Sequence, residues 1–188
     1  MDSHEPDPKD VNALFNHGVV LFVDKNYDKA IQYYEKALTL DPNNYSALCY
    51  KGVALLRLKN DKEAKNCFEE MSKKLPNNVR ELIGLGSFVK WCGYDQYAEV
   101  FFDKGLEIEP SDQSLVLSKT GYLEGRKKYG EAIKLIDKAL EYKPTNCVLV
   151  NSKATLLNKL GNRKEAKKLH EKALDLMHKY GGATRLEL

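Results

Sequence analysis

Cysteine and histidine are the side chains of this sequence most able to bind a metal or to act as nucleophiles. The cysteines are Cys49, Cys67, Cys92 and Cys147, and the histidines are His4, His17, His170 and His178. No two cysteines have the CxxC spacing of a zinc or redox site, and no two histidines lie four residues apart, as on a zinc-binding helix. We therefore expect reduced thiols that fill small apolar spaces, and neither a metal nor another cofactor.

A series of oxygen-bearing side chains resembles the calcium-binding loop of an EF-hand. Its members fall at offsets 1, 3, 5, 9 and 12 and are Asp24, Asn26, Asp28, Gln32 and Glu35. Such a loop needs glycine at offset 6 for its sharp turn, but this sequence has Lys29 there, whose charge would repel a cation. We interpret the segment as a turn followed by the start of a helix.

The sequence has no arrangement of residues that is typical of catalysis. The segment Gly84-Leu85-Gly86 lacks the third glycine of a phosphate-binding loop, and no strand is predicted before it. None of the histidines has an acidic partner at a spacing suited to proton transfer. We therefore predict that the chain is not an enzyme and has no small-molecule substrate.

Charge and hydropathy bear on the classes of partner and on the cellular compartment of the protein. The 30 Lys and Arg residues exceed the 27 Asp and Glu residues by only +3, and the two signs are interspersed, which does not indicate a nucleic-acid partner. The longest apolar run, residues 19–23, is far shorter than the ~20 residues of a membrane span. The N-terminus lacks the basic start and apolar run of a secretory signal. We predict a cytoplasmic protein without a membrane partner.

The prolines divide the sequence into units of equal length. Four of the six prolines are separated by 34 residues, and they are Pro42, Pro76, Pro110 and Pro144. A series of alanines keeps the same interval: Ala30, Ala64, Ala98, Ala132 and Ala166. Because two independent series share one phase, we predict that the chain repeats a single supersecondary unit.

Other positions keep the same phase. When the units begin at residues 11, 45, 79, 113 and 147, position 4 is always apolar: Leu14, Leu48, Leu82, Val116 and Val150. Position 8 is always small: Gly18, Gly52, Gly86, Thr120 and Ala154. This pattern resembles the tetratricopeptide repeat over residues 11–180. The resemblance implies an all-α fold, a right-handed α-solenoid of five helix-turn-helix repeats that forms an α-α superhelix.

The boundaries between units carry a proline that stops one helix and polar residues that cap the next. The predicted division is an N-terminal tail at 1–10, repeats at 11–44, 45–78, 79–112, 113–146 and 147–180, and a C-terminal tail at 181–188. The fifth repeat has His178 in place of the proline and a highly charged last helix. We therefore predict that it caps the array.

The resemblance also implies a concave groove lined by the first helix of each repeat. The groove positions are apolar and aromatic in the first two repeats, and the third adds positive charge and the only tryptophan. The predicted peptide-binding residues are Phe15, Val19, Phe22, Val23, Tyr50, Val53, Arg57, Arg80, Lys90 and Trp91. We predict a scaffold for protein–protein interaction that binds an amphipathic helix or an extended peptide with acidic groups.

Two alternatives remain open at this stage. The aromatic N-terminal face could instead be covered by the N-terminal tail or by a second copy, which would make the chain a self-associating structural protein or homodimer. The basic clusters at residues 126–128 and 163–168 could make it a weak nucleic-acid binder. They fall at unlike repeat positions, so they do not form one surface for phosphate contacts.

Overall fold

The computed structural model describes residues 5–180, and every regular element in that range is an α-helix. The helices are α1 (Val11–Val23), α2 (Tyr27–Leu40), α3 (Tyr45–Arg57), α4 (Asp61–Lys73), α5 (Val79–Trp91), α6 (Asp95–Ile108), α7 (Gln113–Gly125), α8 (Tyr129–Tyr142), α9 (Cys147–Lys159) and α10 (Arg163–Tyr180). This confirms the prediction of an all-α fold built from helical repeats. The predicted tails at residues 1–4 and 181–188 lie outside the described residues.

The described chain folds as two compact units. The first unit contains the described residues up to Pro76 together with Gly84–Phe101. The second unit contains Asn77–Ile83 and the described residues from Phe102 onward. Helices α5 and α6 are therefore divided between the two units.

Polar side chains start the first helix of several hairpins. The Asp10 carboxylate accepts hydrogen bonds from the backbone N–H groups of Asn12 and Ala13, at 2.8 and 3.1 Å. Asn44 and Asp112 cap α3 and α7 in the same way, with bonds of 2.9 and 2.8 Å. Each cap satisfies N–H groups that have no partner inside the helix, which is worth about 0.5–2 kcal/mol per cap.

The turn inside each hairpin uses a left-handed backbone at one recurring place, 34 residues apart. The residues with positive φ are Lys25, Lys59, Gly93, Lys127 and Gly161, with φ between 58° and 88°. A left-handed residue ends the first helix and reverses the chain toward the second. Three of these residues are lysines, for which this conformation costs roughly 1–2 kcal/mol.

Inside the hairpins, an aromatic ring on the second helix fills the space left by a glycine on the first. A Cβ atom added to Gly18 would lie 2.5 Å from Cε1 of Tyr34, and one added to Gly52 would lie 2.9 Å from Cζ of Phe68. Both rings are buried. The alanines of the 34-residue series lie on the second helix of each hairpin and have no exposed surface: Ala30, Ala64, Ala98, Ala132 and Ala166. The small residues therefore allow the two helices of a hairpin to approach closely.

No helix among the described residues is both long and apolar enough to cross a membrane.

This packing predicts opposite effects for two glycine substitutions inside helices. Gly18→Ala should lower the free energy of unfolding by about 1–3 kcal/mol, because the new methyl group collides with the fixed Tyr34 ring. Gly84→Ala is the matched control, since nothing lies within 4 Å of the added Cβ. It should raise the free energy of unfolding by about 0.5–1 kcal/mol, because alanine is the better helix former. Urea unfolding followed by circular dichroism measures both, and equal effects would contradict the close contact.

Candidate functional site

Five aromatic rings of the first unit pack together, and we call them the aromatic cluster. They are Phe15, Phe22, Tyr34, Tyr50 and Phe88. Tyr50 lies at the centre, stacked on Phe88 with ring centroids 3.9 Å apart and planes inclined by 14°. Phe15 and Phe22 meet Tyr50 edge to face at 5.4 and 5.6 Å. Aromatic pairs of this geometry stabilise a fold by about 0.5–1.5 kcal/mol beyond the burial of their area.

The aromatic cluster is completed by a contact between helices that are distant in sequence. Phe88 of α5 lies 6.0 Å from Phe22 of α1 and stacks on Tyr50 of α3. Phe22 is therefore buried and Tyr50 is half-buried. The sequence suggests that both side chains are open to a ligand. In the structure, the chain itself covers nearly all of Phe22 and part of Tyr50.

A cleft of about 310 Å³ remains beside the aromatic cluster, and we call it the cleft. It is lined by Val19, Phe22, Val23, Lys25, Tyr27, Tyr50, Arg57, Phe88 and Trp91. Two of these apolar side chains are mostly in solvent, because Trp91 is 81% exposed and Val23 is 71% exposed. Large exposed apolar side chains beside a concave surface are typical of a binding site.

The guanidinium group of Arg57 carries a positive charge at the cleft and is held in place by two contacts. Its Nη2 atom donates a hydrogen bond of 3.1 Å to the carbonyl oxygen of Cys92, and its guanidinium carbon lies 5.4 Å from the centroid of the Tyr94 ring. These contacts restrain the long side chain while leaving other N–H donors available. Lys25 adds a second cation, and the residues that line the cleft include no acid. The cleft thus combines an apolar surface with two positive charges.

Six of the ten predicted groove residues line the cleft: Val19, Phe22, Val23, Tyr50, Arg57 and Trp91. Phe15 lies in the aromatic cluster and does not line the cleft. Val53 has no exposed surface, so its assignment as a contact residue is corrected: α3 buries this side chain in the core. Lys90 is half-buried and does not line the cleft. Arg80 is exposed and belongs to the second unit.

Sequence reasoning missed Lys25, Tyr27 and Phe88 as lining residues. Phe88 occupies position 10 of its repeat, which is not a groove position in the resemblance, yet its ring closes the aromatic cluster. One signal was available in the sequence, because the same position in the preceding repeat holds the much smaller Ala54. The large Phe88 side chain at this position indicates an unusual contact, but the sequence does not indicate which residue it contacts.

Burial favours the neutral forms of the phenol and the thiols around the cleft. Burial raises the pKa of the Tyr50 phenol and of the Cys49 thiol. Burial also raises the pKa of the Cys92 thiol, although the Arg57 guanidinium beside it works in the opposite direction. Neutral thiols are poor nucleophiles and poor metal ligands. Within residues 5–180, no group of three or more His, Cys, Asp or Glu side chains is placed to hold a metal ion.

The burial of the thiols predicts an order of chemical labelling. Cys147 is half-buried, whereas Cys49 is fully buried and has a raised pKa. In the native protein a disulfide reagent should therefore modify Cys147 first and Cys49 roughly tenfold more slowly or worse, because only an accessible thiolate reacts. Mass spectrometry of the labelled peptides over time measures the order. The Cys147→Ser variant should lose the fastest phase, and rapid native labelling of Cys49 would contradict the packing.

Comparison with known proteins agrees with this architecture. Two models of the tetratricopeptide repeat match the sequence, over residues 11–44 and 33–66. No curated protein matches it by sequence. Among solved structures, YrrB, described as a TPR protein with an unusual peptide-binding site, is 20% identical, with a TM-score of 0.55 over 96% of this chain and 94% of that chain.

Two further solved structures have similar folds. The MamA protein is 20% identical, with a TM-score of 0.57 over 95% of this chain and 96% of its own. A tetratricopeptide repeat protein from Parabacteroides merdae ATCC 43184 is 20% identical, with a TM-score of 0.50 over 93% of this chain and 68% of its own. At these identities the similarity is one of fold. Residues 11–66 thus match the tetratricopeptide repeat by sequence, and the described chain has a helical-repeat fold similar to that of solved tetratricopeptide-repeat structures.

Proposed function

We propose that this protein is an interaction scaffold whose first unit binds a peptide segment of another protein in the cleft. The segment, an amphipathic helix or an extended peptide, places an apolar side chain against Trp91 and Val23 and an acidic group near Arg57. The observation that carries this proposal is the exposure of Trp91, which is 81% accessible at the edge of an apolar and basic cleft.

Trp91 has the properties of an interface anchor. A tryptophan buries about 150–250 Å² when it is covered, and tryptophan and arginine are enriched among the residues that dominate binding energies. Its neighbours Phe22, Tyr50 and Phe88 are held by ring stacking, so the surface next to it is already ordered. A preformed apolar surface reduces the entropy that a ligand loses in binding.

The charges around the cleft select the ligand. Arg57 has five N–H donors, of which its Nη2 group already bonds the carbonyl oxygen of Cys92. The remaining donors suit a carboxylate, with which arginine forms strong paired hydrogen bonds. Lys25 reinforces this preference. A ligand with an aromatic or aliphatic side chain close to Asp or Glu therefore matches the cleft better than a basic or a neutral one.

The fold supports the proposal from a separate direction. YrrB has the same type of fold and a peptide-binding site, although the two sequences are only 20% identical. Tandem helical repeats present extended surfaces that commonly bind other proteins. The proposed binding surface is therefore smaller than the groove predicted from the sequence. It consists of the cleft and its exposed rim, and it does not include Val53, which is buried.

The single tryptophan gives a direct binding assay. Random 12-residue peptides are selected on the protein by phage display, and those that also bind the Trp91→Ala variant are removed. We expect the remaining peptides to pair apolar with acidic residues. A titration with such a peptide should shift the emission of Trp91 to shorter wavelengths, because the ligand removes the indole from water.

Variants of exposed residues test the contacts without disturbing the core. With fluorescein-labelled peptides, Trp91→Ala or Val23→Glu should weaken binding by about tenfold or more, and Arg57→Gln should weaken binding and reduce its dependence on salt. Leu160→Glu is the control, because Leu160 is exposed and belongs to the second unit. Equal affinities for all four variants and the unchanged protein would refute the proposal.

A further inference from the structure

Successive hairpins are joined through one recurring set of positions, which we call the joint stripe: positions 3, 7 and 10 of the first helix. In α9 the apolar members of the stripe are Leu149 and Leu156, and both are buried in the core of the second unit. In α7 the position-3 residue is Leu115, which packs on Gly105 of α6 in the preceding hairpin. A Cβ atom added to Gly105 would lie only 2.6 Å from Cδ2 of Leu115. The stripe therefore packs against the hairpin before it.

An ion pair accompanies the joint stripe. In α3, α7 and α9, position 7 carries a lysine that binds the acidic residue at position 25 of the preceding hairpin, whereas α5 has Leu85 at this position. The three pairs are Lys51 with Glu35 at 2.8 Å, Lys119 with Asp103 at 2.9 Å, and Lys153 with Asp137 at 2.6 Å. The lysines are mostly buried and the acids are about half exposed. The same charge arrangement thus recurs in both units of the chain.

At α1 the joint stripe has no preceding hairpin among the described residues. It consists of Ala13, His17 and Val20. Val20 is 59% exposed, whereas its counterparts at position 10 in α3, α7 and α9 are buried. Ala13 and His17 are half-buried. Within residues 5–180, the joint stripe of α1 is therefore only partly covered.

The last hairpin leaves the other side of the joint open, and we call this surface the seat. It is an apolar cleft of about 150 Å³ lined by Cys147, Val148, Asn151, Ala173, Leu174 and Met177. Leu174 is 53% exposed, whereas Leu140, at the same position of the preceding hairpin, packs against the core that contains Leu149. Position 25 is Glu171, whose contact with Lys167 in its own helix is long, at 4.0 Å.

We propose that the seat receives the joint stripe of a second copy of this chain, so that copies associate head to tail. Val20 of one copy would cover Leu174 of the other. These two residues correspond by repeat position to Leu156 and Leu140, which belong to the core of the second unit. His17 would face Glu171, in the places that Lys153 and Asp137 occupy in the internal joint. The contact joins two different surfaces, so it leaves one of each free and does not stop at a dimer unless the copies close into a ring.

Charge and size both fit this occupant. The last described hairpin offers an acid, Glu171, at position 25, and the stripe of α1 offers the imidazole of His17 at the place where three internal joints have lysine. The seat is lined by only six residues, fewer than the roughly 20–30 residues that each side of a stable interface contributes, so association should be weak and visible only at high protein concentration. This inference uses none of the residues of the cleft, and it stands or falls separately from the proposed peptide binding.

The first test measures mass against concentration for the full chain by sedimentation velocity, up to about 1 mM, where a millimolar interaction is detectable. The unchanged protein should form dimers and larger species. Val20→Glu and Leu174→Glu should each remain monomeric at the same concentrations. Leu160→Glu is the control, because Leu160 is also 53% exposed and lies outside the seat. It should associate like the unchanged protein.

Mixing the two variants gives a result that other interfaces would not. Val20→Glu keeps an intact seat and Leu174→Glu keeps an intact stripe, so a mixture should form a one-to-one dimer and nothing larger. A mixture that stays monomeric would overturn the proposal, as would an unchanged protein that stays monomeric throughout. A chain shortened to end at Tyr180 should associate as the full chain does. Stronger association would mean that residues 181–188 occupy the seat instead.

The ion pair provides a second readout. His17→Lys introduces the lysine found at this position in α3, α7 and α9, and it should strengthen association by about two- to fivefold, the effect of an exposed ion pair. The gain should disappear when Glu171→Gln is added, because the partner of the lysine is then uncharged. A gain that persists in the double variant would place the contact elsewhere and contradict the proposed orientation.

Discussion

The close packing of an aromatic ring against a residue without a side chain underlies the rest of this structure. Tyr34 on Gly18 and Phe68 on Gly52 bring the two helices of a hairpin into contact, and the alanines of the second helices are fully buried. A hairpin of two short helices buries too little surface to be stable alone, so its other faces must pack on neighbouring hairpins. The arrangement of surfaces available to partners follows from this requirement.

The aromatic cluster shows how the same residues serve the fold and limit the site. In the first unit, Phe88 of α5 contacts Tyr50 of α3 and Phe22 of α1, so that the three rings pack against one another. What remains for a ligand is the edge of this cluster, where Trp91 and Val23 are in solvent and Arg57 is held in place. In the proposed function, the exposed anchors Trp91 and Val23 therefore lie beside the rings that stabilise the fold.

The ends of the repeat series are a second consequence of the same packing. The joints at α3, α7 and α9 each pair a lysine of the stripe with an acid of the preceding hairpin. The described residues leave an uncovered stripe at α1 and an uncovered seat at α9 and α10. Repeat proteins commonly protect such ends with polar residues, and α10 does so on its outer side, where the charged side chains are exposed. Its Leu174 and Met177 remain apolar and exposed, which is why this surface is a candidate for association.

The sequence alone determined the helices, their period and the helical-repeat fold, because prolines, alanines and glycines at 34-residue intervals act through local backbone geometry and short-range packing. It also located six of the residues that line the cleft, since groove positions recur with the period. Only the tertiary structure decided that Val53 is buried, that Phe88 closes the aromatic cluster and that Trp91 is left exposed. These facts depend on contacts between side chains of different repeats, and no periodic pattern in the sequence specifies such contacts.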